Sequence, residues 1–130
     1  MNKPLALVIE DDIDLSEIFS MTLRGGGFET EVISDGQAAL NRLAGTPPAL
    51  ILLDMHLPHV AGTTILQAIN TDKRFTKTSV IVATADARLA EELHSSADLV
   101  LLKPVSVDQL RELAQRMLQR WKTADASSAA

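Results

Sequence analysis

Four short runs of apolar residues recur along the chain, and each is continuous rather than alternating with polar residues. Continuous runs of this length are typical of strands buried on both faces, which occur where helices cover both sides of a parallel sheet. A weaker run over Glu29–Ile33 fits one more strand. The sequence therefore predicts five strands, of which the four strongest are Leu5–Ile9, Leu50–Leu53, Val80–Ala83 and Leu99–Leu102.

Stretches with helical spacing of apolar residues, bounded by turn residues, separate and follow these runs. The first helix follows Asp14 and ends at the glycines of 25–27, and the last begins at a capping box that starts with Ser106 and runs to about Trp121. The other helices are predicted at 37–44, after Gly62 and at 87–95. Five β-α units joined by right-handed crossovers predict an α/β, doubly wound parallel sheet with helices on both faces. We expect one domain over residues 1–122 and a flexible Ala/Ser-rich tail over 123–130.

Composition and charge narrow the functional classes. The chain has 130 residues, of which 46% are hydrophobic and 22% charged, and this balance is typical of one globular domain. It contains no cysteine, which excludes disulfides, zinc–thiolate sites and thiol nucleophiles. A formal net charge of −5 argues against direct binding of nucleic acid, which depends on clustered Lys and Arg. The first apolar run is too short for a signal-peptide core or a membrane span, and we expect a cytoplasmic protein.

Polar residues follow four of the predicted strands at the point where each strand ends. Glu10 and Asp11 follow the first strand, Asp54 the third, Thr84 the fourth and Lys103 the fifth. Because ligands of open α/β sheets bind beyond the carboxyl ends of the strands, we expect these side chains to form one site. Clustered carboxylates need a cation, and oxygen ligands without histidine or cysteine favour Mg²⁺. A lysine and a threonine beside such an ion suit a phosphoryl group, and Asp54, which stands alone, is the candidate nucleophile.

Four motifs, taken in order, resemble those of response-regulator receiver domains of two-component signalling, the CheY-like superfamily. They are LVIEDD at 7–12, DMHLP at 54–58 followed by Gly62, VIVATA at 80–85 and LLKP at 101–104. Each motif stands at the end of its strand, and the resemblance covers about residues 5–121. The order and placement of all four motifs make the resemblance specific.

The resemblance implies a flavodoxin-like fold with the strand order 2-1-3-4-5 and a phosphoacceptor at Asp54. In such a domain, Mg²⁺ would be bound directly by Asp11, Asp54 and the main-chain carbonyl of His56, and through water by Glu10. The phosphoryl group would be contacted by Thr84 and Lys103.

The resemblance also implies partners and a signalling role. The phosphoryl donor would be a sensor histidine kinase or a histidine phosphotransfer protein, and small acyl phosphates would replace it in vitro. The chain would be a signalling module rather than an enzyme, although it would promote its own phosphorylation and dephosphorylation. An output domain or target protein would contact the face formed by the fourth helix, fifth strand and fifth helix, without direct contact to nucleic acid or membrane. We expect a monomer or a weak dimer.

The main departure from the family pattern is Val100, which stands where receivers commonly carry Tyr or Phe. In the family this aromatic ring turns inward when the threonine moves toward the phosphoryl group, and a valine cannot report by ring rotation. The output mechanism stays open between backbone shifts around Thr84 and a role as phosphate relay or sink. Lesser departures are Ala61 and Val105, at positions where an acidic and an aromatic residue are common.

Two other functional classes stay open. A phosphorylation-independent receiver-like binding module would usually have lost an acid or the lysine, and this chain keeps them. An aspartate-nucleophile phosphatase of the haloacid dehalogenase type would carry a second aspartate two residues after Asp54, where this chain has His56. We hypothesise that His56 and Asp86 shape water access to the phosphoryl group, and a zinc site at His56 and His59 is disfavoured.

Overall fold

The predicted alternation of strands and helices is present in residues 3–129, which the computed structural model describes. A single 3-10 turn over Lys73–Phe75 leads into the fourth strand. In chain order the elements are β1 (Leu5–Ile9), α1 (Ile13–Gly25), β2 (Glu29–Ile33), α2 (Gly36–Arg42), β3 (Leu50–Asp54), α3 (Gly62–Asn70), β4 (Ser79–Thr84), α4 (Ala87–Glu92), β5 (Leu99–Leu102) and α5 (Val107–Ala129).

The five strands form one parallel sheet in the order β2-β1-β3-β4-β5, which confirms the predicted flavodoxin-like, doubly wound order. The register places Ile9 beside Leu53 and Asp54 beside Ala83, and it places Thr84 beside Leu102. The carboxyl ends of β1, β3, β4 and β5 therefore meet at one edge of the sheet. The residues that end or follow these strands are brought together by this register.

Two hydrophobic layers cover the sheet, one on each face. On one face, side chains such as Val8 and Leu52 pack against α1 and α5. On the other face, Ile9 and Leu53 pack with residues of α2 and α3. Every residue of β3 is buried, because this strand lies in the middle of the sheet with helices on both sides. This double coverage explains why the strands are continuous apolar runs.

Several aspartates act as helix caps. The carboxylate of Asp12 accepts a hydrogen bond from the backbone N–H of Leu15 at 3.0 Å and so caps α1. Asp35 and Asp86 cap α2 and α4 in the same way. A capping carboxylate satisfies free N–H groups of the first helical turn and interacts favourably with the helix dipole. These acids therefore have a structural role that separates them from the acids of the site.

Three helix ends differ from the sequence prediction. α2 ends at Arg42 and α4 at Glu92, and in both cases the predicted last residues form turns, since Gly45 and the serines at 95 and 96 do not favour helix. The prediction that the last helix ends near Trp121 is wrong: α5 continues to Ala129, because the alanine-containing segment has no Gly or Pro to stop it. The domain boundary at residue 122 and the flexibility of 123–130 stay predictions, and residues 1, 2 and 130 lie outside the described residues.

Candidate functional site

The polar residues at the strand ends lie together at the carboxyl edge of the sheet. Glu10 and Asp11 directly follow β1, Asp54 and Thr84 are the last residues of β3 and β4, and Lys103 follows β5. Oxygen atoms of the carboxylates of Glu10, Asp11 and Asp54 all lie within 4.8 Å of one another. The structure therefore brings together the acids that the sequence analysis predicted to share a site.

Burial within this acidic cluster is uneven. Glu10 and Asp54 are only 2% and 4% exposed, whereas Asp11 is exposed. Two carboxylates are thus held at the edge of the core and the third faces solvent, from which a hydrated cation can reach them. Hard oxygen ligands with an open solvent side fit Mg²⁺, which keeps several of its water ligands in proteins. The main-chain carbonyl of His56 and the water-mediated role of Glu10 stay predictions.

Lys103 provides a cationic group within the cluster. Its Nζ lies 2.9 Å from Oε1 of Glu10 and 3.2 Å from Oδ1 of Asp54. Its backbone N–H donates to the carbonyl of Thr84 at 2.8 Å, and its peptide bond to Pro104 is cis. Burial alone would lower the pKa of Lys103, but the hydrogen bond to Glu10 and the charges of Asp54 and Glu10 outweigh this and raise it. Lys103 is therefore a permanent positive charge beside the Asp54 carboxylate.

The carboxyl group of Glu10 titrates far from its usual range. Burial and, to a smaller extent, the charge of Asp54 together raise its pKa to about 7, although the hydrogen bond from Lys103 opposes this. The backbone N–H of Asp12 donates a hydrogen bond to Oε2 of Glu10 at 3.3 Å. This hydrogen bond lowers the pKa of Glu10, but it is too weak to reverse the effect of burial. In the metal-free protein Glu10 therefore holds a proton up to near-neutral pH.

A pH dependence of stability follows from this shift. Because the pKa of Glu10 is about 7 in the native state and 4.5 when it is unperturbed, the native state binds more protons between these values. The stabilisation is complete below about pH 4.5 and is lost as the pH rises through 7. We expect Glu10 to lower the free energy of unfolding by on the order of 1 to 3 kcal/mol between pH 5 and 8.

Urea unfolding with EDTA at a series of pH values measures this contribution, with Glu10→Gln as the comparison, since glutamine does not titrate. The unfolding free energy of the native protein, relative to that of this variant, should fall as the pH rises from 5 to 8. A difference that is constant from pH 5 to 8 would contradict the shifted pKa.

Thr84 is fully buried and has two neighbours at the site. Its Oγ1 accepts a hydrogen bond from the backbone N–H of Asp86 at 3.1 Å and lies 3.3 Å from Nε2 of His56. The backbone N–H of His56 in turn donates to Oδ1 of Asp54 at 3.3 Å. The side-chain contact between His56 and Thr84 was not foreseen from the sequence, because the two residues are 28 positions apart and His56 follows β3 whereas Thr84 ends β4.

Three other residues from the sequence analysis take no part in this cluster. His59 is exposed and has a φ of 72°. Among residues 3–129, neither the His59 nor the His56 side chain belongs to a group of three or more potential metal ligands. The Asp86 carboxylate caps α4, so its predicted effect on water access stays untested. Val100 is half-buried and lines an open groove between α4 and β5 with Ala90, His94, Leu99 and Leu102.

The family model for the response regulator receiver domain matches residues 6–115. The chain belongs to this family. The resemblance of the four motifs is thereby confirmed, and the receiver domain of this chain carries its acids, threonine and lysine at the strand ends that the motifs indicated. The haloacid dehalogenase alternative has no support from the fold or from the family match.

Curated relatives of this receiver domain are response regulators. The DNA-binding response regulator MtrA of Mycobacterium tuberculosis strain H37Rv is 32% identical over 114 residues, which cover 88% of this chain and 50% of that protein. The DNA-binding dual master transcriptional regulator RpaA of Synechocystis is 30% identical over 120 residues, which cover 90% of this chain and 50% of that protein. The chain thus spans about half the length of these relatives.

Solved structures share the fold over nearly the whole chain. The signal receiver domain of a putative Luxo repressor protein from Vibrio parahaemolyticus has a TM-score of 0.84 and 29% sequence identity, with 96% of this chain and 97% of that chain covered. The receiver domain of the Francisella response regulator 1452 has a TM-score of 0.78 and 28% identity, with 90% and 98% covered. Within residues 3–129, none of the helices combines the length and hydrophobicity that a membrane span requires.

Proposed function

We propose that this receiver domain accepts a phosphoryl group on Asp54 in a Mg²⁺-dependent reaction and so serves a two-component or phosphorelay pathway. The observation that carries the proposal is the position of Lys103 Nζ, 3.2 Å from Oδ1 of the buried Asp54 carboxylate, beside the acids Glu10 and Asp11. A nucleophilic carboxylate, a fixed cation and a set of oxygen ligands are the groups that phosphoryl transfer to an aspartate needs.

The chemistry needs no general base, because the nucleophile is an ionised carboxylate. An oxygen of Asp54 attacks the phosphorus of a phosphohistidine, an O–P bond forms as the N–P bond breaks, and the nitrogen of the donor imidazole leaves with the bonding electrons. Lys103 neutralises charge on the phosphoryl oxygens, and the Thr84 hydroxyl donates a hydrogen bond to one of them. Asp11, Asp54 and the main-chain carbonyl of His56 would bind Mg²⁺ directly and Glu10 through water, and the ion would supply further positive charge. Water later hydrolyses the mixed anhydride, which restores Asp54 and releases inorganic phosphate.

The proposed donor is a sensor histidine kinase or a histidine phosphotransfer protein in the cytoplasm. The chain acts in this proposal as a signalling module that promotes its own phosphorylation and dephosphorylation, without an external substrate to convert. Any output to DNA would pass through a further domain or partner, because a net charge of −5 disfavours contacts with nucleic-acid phosphates. Response regulators such as MtrA and RpaA, which are described as DNA-binding, support this division of roles.

We propose that the output surface is the face formed by α4, β5 and α5. α4 has no buried residue and Leu102 of β5 is 51% exposed, so this face holds apolar surface that a partner can cover. Position 100 carries a valine and no aromatic ring. In this proposal, the conformational change on phosphorylation reaches this face through the backbone that follows Thr84.

Intact-mass measurement after incubation with acetyl phosphate and Mg²⁺ tests the proposed function. The native protein should gain one labile phosphoryl group, and the gain should be absent in Asp54→Asn and in native protein treated with EDTA, because each control removes a required component. A phosphohistidine donor provides a second test with the same controls. Failure of the native protein with both donors would overturn the proposal and favour a phosphorylation-independent binding module.

A further inference from the structure

The His56 residue connects the acceptor aspartate with the buried threonine. Its backbone N–H donates to Oδ1 of Asp54 at 3.3 Å, and its imidazole Nε2 lies 3.3 Å from Oγ1 of Thr84. His56 is an exposed residue, whereas Thr84 is fully buried, so the contact joins the solvent side of the site to the end of β4. This one residue therefore contacts two of the three residues that the proposed reaction uses at the phosphoryl position, Asp54 and Thr84.

The hydrogen-bonding capacity of Thr84 makes this contact significant. A threonine hydroxyl has a single hydrogen to donate, and its oxygen already accepts from the backbone N–H of Asp86 at 3.1 Å. Within residues 3–129, the His56 imidazole is the side-chain group that lies within hydrogen-bonding distance of this oxygen. Because Thr84 is fully buried, a hydroxyl hydrogen without an acceptor would be costly, so we assign the hydroxyl as donor and Nε2 as acceptor.

We propose that His56 is a positioning residue that holds the Thr84 hydroxyl away from the phosphoryl position until a phosphoryl group displaces it. This inference rests on the proposed function, in which Thr84 donates to a phosphoryl oxygen. Since the hydroxyl has one hydrogen, it cannot donate to Nε2 and to the phosphoryl oxygen at the same time. Phosphorylation thus exchanges one acceptor for the other.

The exchange gives this chain a two-state element next to β4. One state has the hydroxyl on the imidazole, and the other has it on the phosphoryl group. Because Asp86 both donates to Thr84 and caps α4, a movement of the Thr84 oxygen is passed to the first turn of that helix. This receiver has Val100 where the family commonly has a mobile aromatic ring. The exchange of the Thr84 hydrogen bond from His56 to the phosphoryl group would therefore give a local structural change that needs no such ring.

A double-mutant cycle with BeF₃⁻ and Mg²⁺ tests this proposal, because beryllofluoride binds the acceptor carboxylate as a phosphoryl mimic without covalent turnover. Affinity is measured by isothermal titration calorimetry for the native protein, His56→Ala, Thr84→Val and the double variant. His56→Ala should bind about three- to tenfold more tightly, since the mimic no longer has to break a hydrogen bond. In the Thr84→Val background, His56→Ala should leave the affinity unchanged, because no hydroxyl remains to be held.

Two further variants separate the contact from a general effect on the loop. His56→Gln keeps an acceptor at a similar reach and should return the affinity toward that of the native protein. His59→Asn removes the other histidine of the loop, which is exposed and tolerates asparagine at its positive φ, and should leave the affinity unchanged. Urea unfolding confirms that each variant is folded before its affinity is compared.

The outcomes distinguish the two proposals. If the effect of His56→Ala is absent in the native background, or is equally large with Thr84→Val, the positioning role is overturned while the proposed function stands. If the native protein forms no BeF₃⁻ complex and no phosphoryl adduct, the proposed function fails, and the positioning role fails with it.

Discussion

Replacement of Lys103 by methionine is expected to slow phosphorylation of Asp54 by acetyl phosphate by about 10²- to 10³-fold. The ammonium group lies 3.2 Å from Oδ1 of Asp54 and 2.9 Å from Oε1 of Glu10, so its positive charge is held beside the carboxylate that attacks the phosphoryl group. Methionine preserves much of the length of the side chain and removes only the charge and the donors. The initial rate of adduct formation, followed by intact mass at saturating Mg²⁺, measures the loss.

The same substitution should also lower the stability of the metal-free protein. Without the ammonium group, the carboxylate of Asp54 remains buried without its cationic partner, and such uncompensated burial costs about 3 kcal/mol. Mg²⁺ should restore most of this loss, because it supplies positive charge to the same carboxylate. The matched control is Lys77→Met, which removes an exposed lysine away from the strand ends and should change neither rate nor stability. An unchanged rate for Lys103→Met would refute the role of the lysine.

Replacement of Gly62 by alanine is expected to destabilise the protein by about 2 to 3 kcal/mol. A Cβ at this position would lie 2.6 Å from Cα of Met55, 2.8 Å from its carbonyl oxygen and 2.9 Å from the carbonyl oxygen of Asp54. All three are backbone atoms at the end of β3, so no side-chain rotation can relieve the contact. Either α3 moves away from the sheet or the end of β3 shifts, and both disturb the acceptor site.

Urea unfolding measures this loss, and the rate of phosphoryl uptake should fall with it. Gly25→Ala is the matched control, because a Cβ at the last residue of α1 meets no atom within 4 Å and should stabilise by about 0.5 kcal/mol. If the two alanine variants were equally stable, a Cβ at position 62 would have room beside the backbone of Asp54, and the prediction would be wrong.

Much of the fold was predictable from the sequence because the buried strands repeat a simple pattern. β1, β3 and β4 have helices on both faces, so their sequences are continuous apolar runs that a reading of periodicity finds. The same topology brings the ends of these strands to one edge, so the grouping of Glu10, Asp11 and Asp54 also followed from the sequence. The helix ends were less predictable, and α5 runs to Ala129 since nothing in its sequence forces it to stop.

The local chemistry of the site was decided only by the tertiary structure. The pairing of Lys103 with Glu10 joins residues 93 positions apart, and the contact of His56 with Thr84 depends on how the segment after β3 is placed against the end of β4. The raised pKa of Glu10 comes mainly from burial, which is a property of the packed site and not of the residue type. Sequence by itself determined which groups stand at the edge of the sheet, because the strand ends follow from the hydrophobic pattern and the resemblance to receiver domains implied the strand order. Which of those groups touch, and how deeply each is buried, depends on distances between separate elements, and packing alone sets those distances.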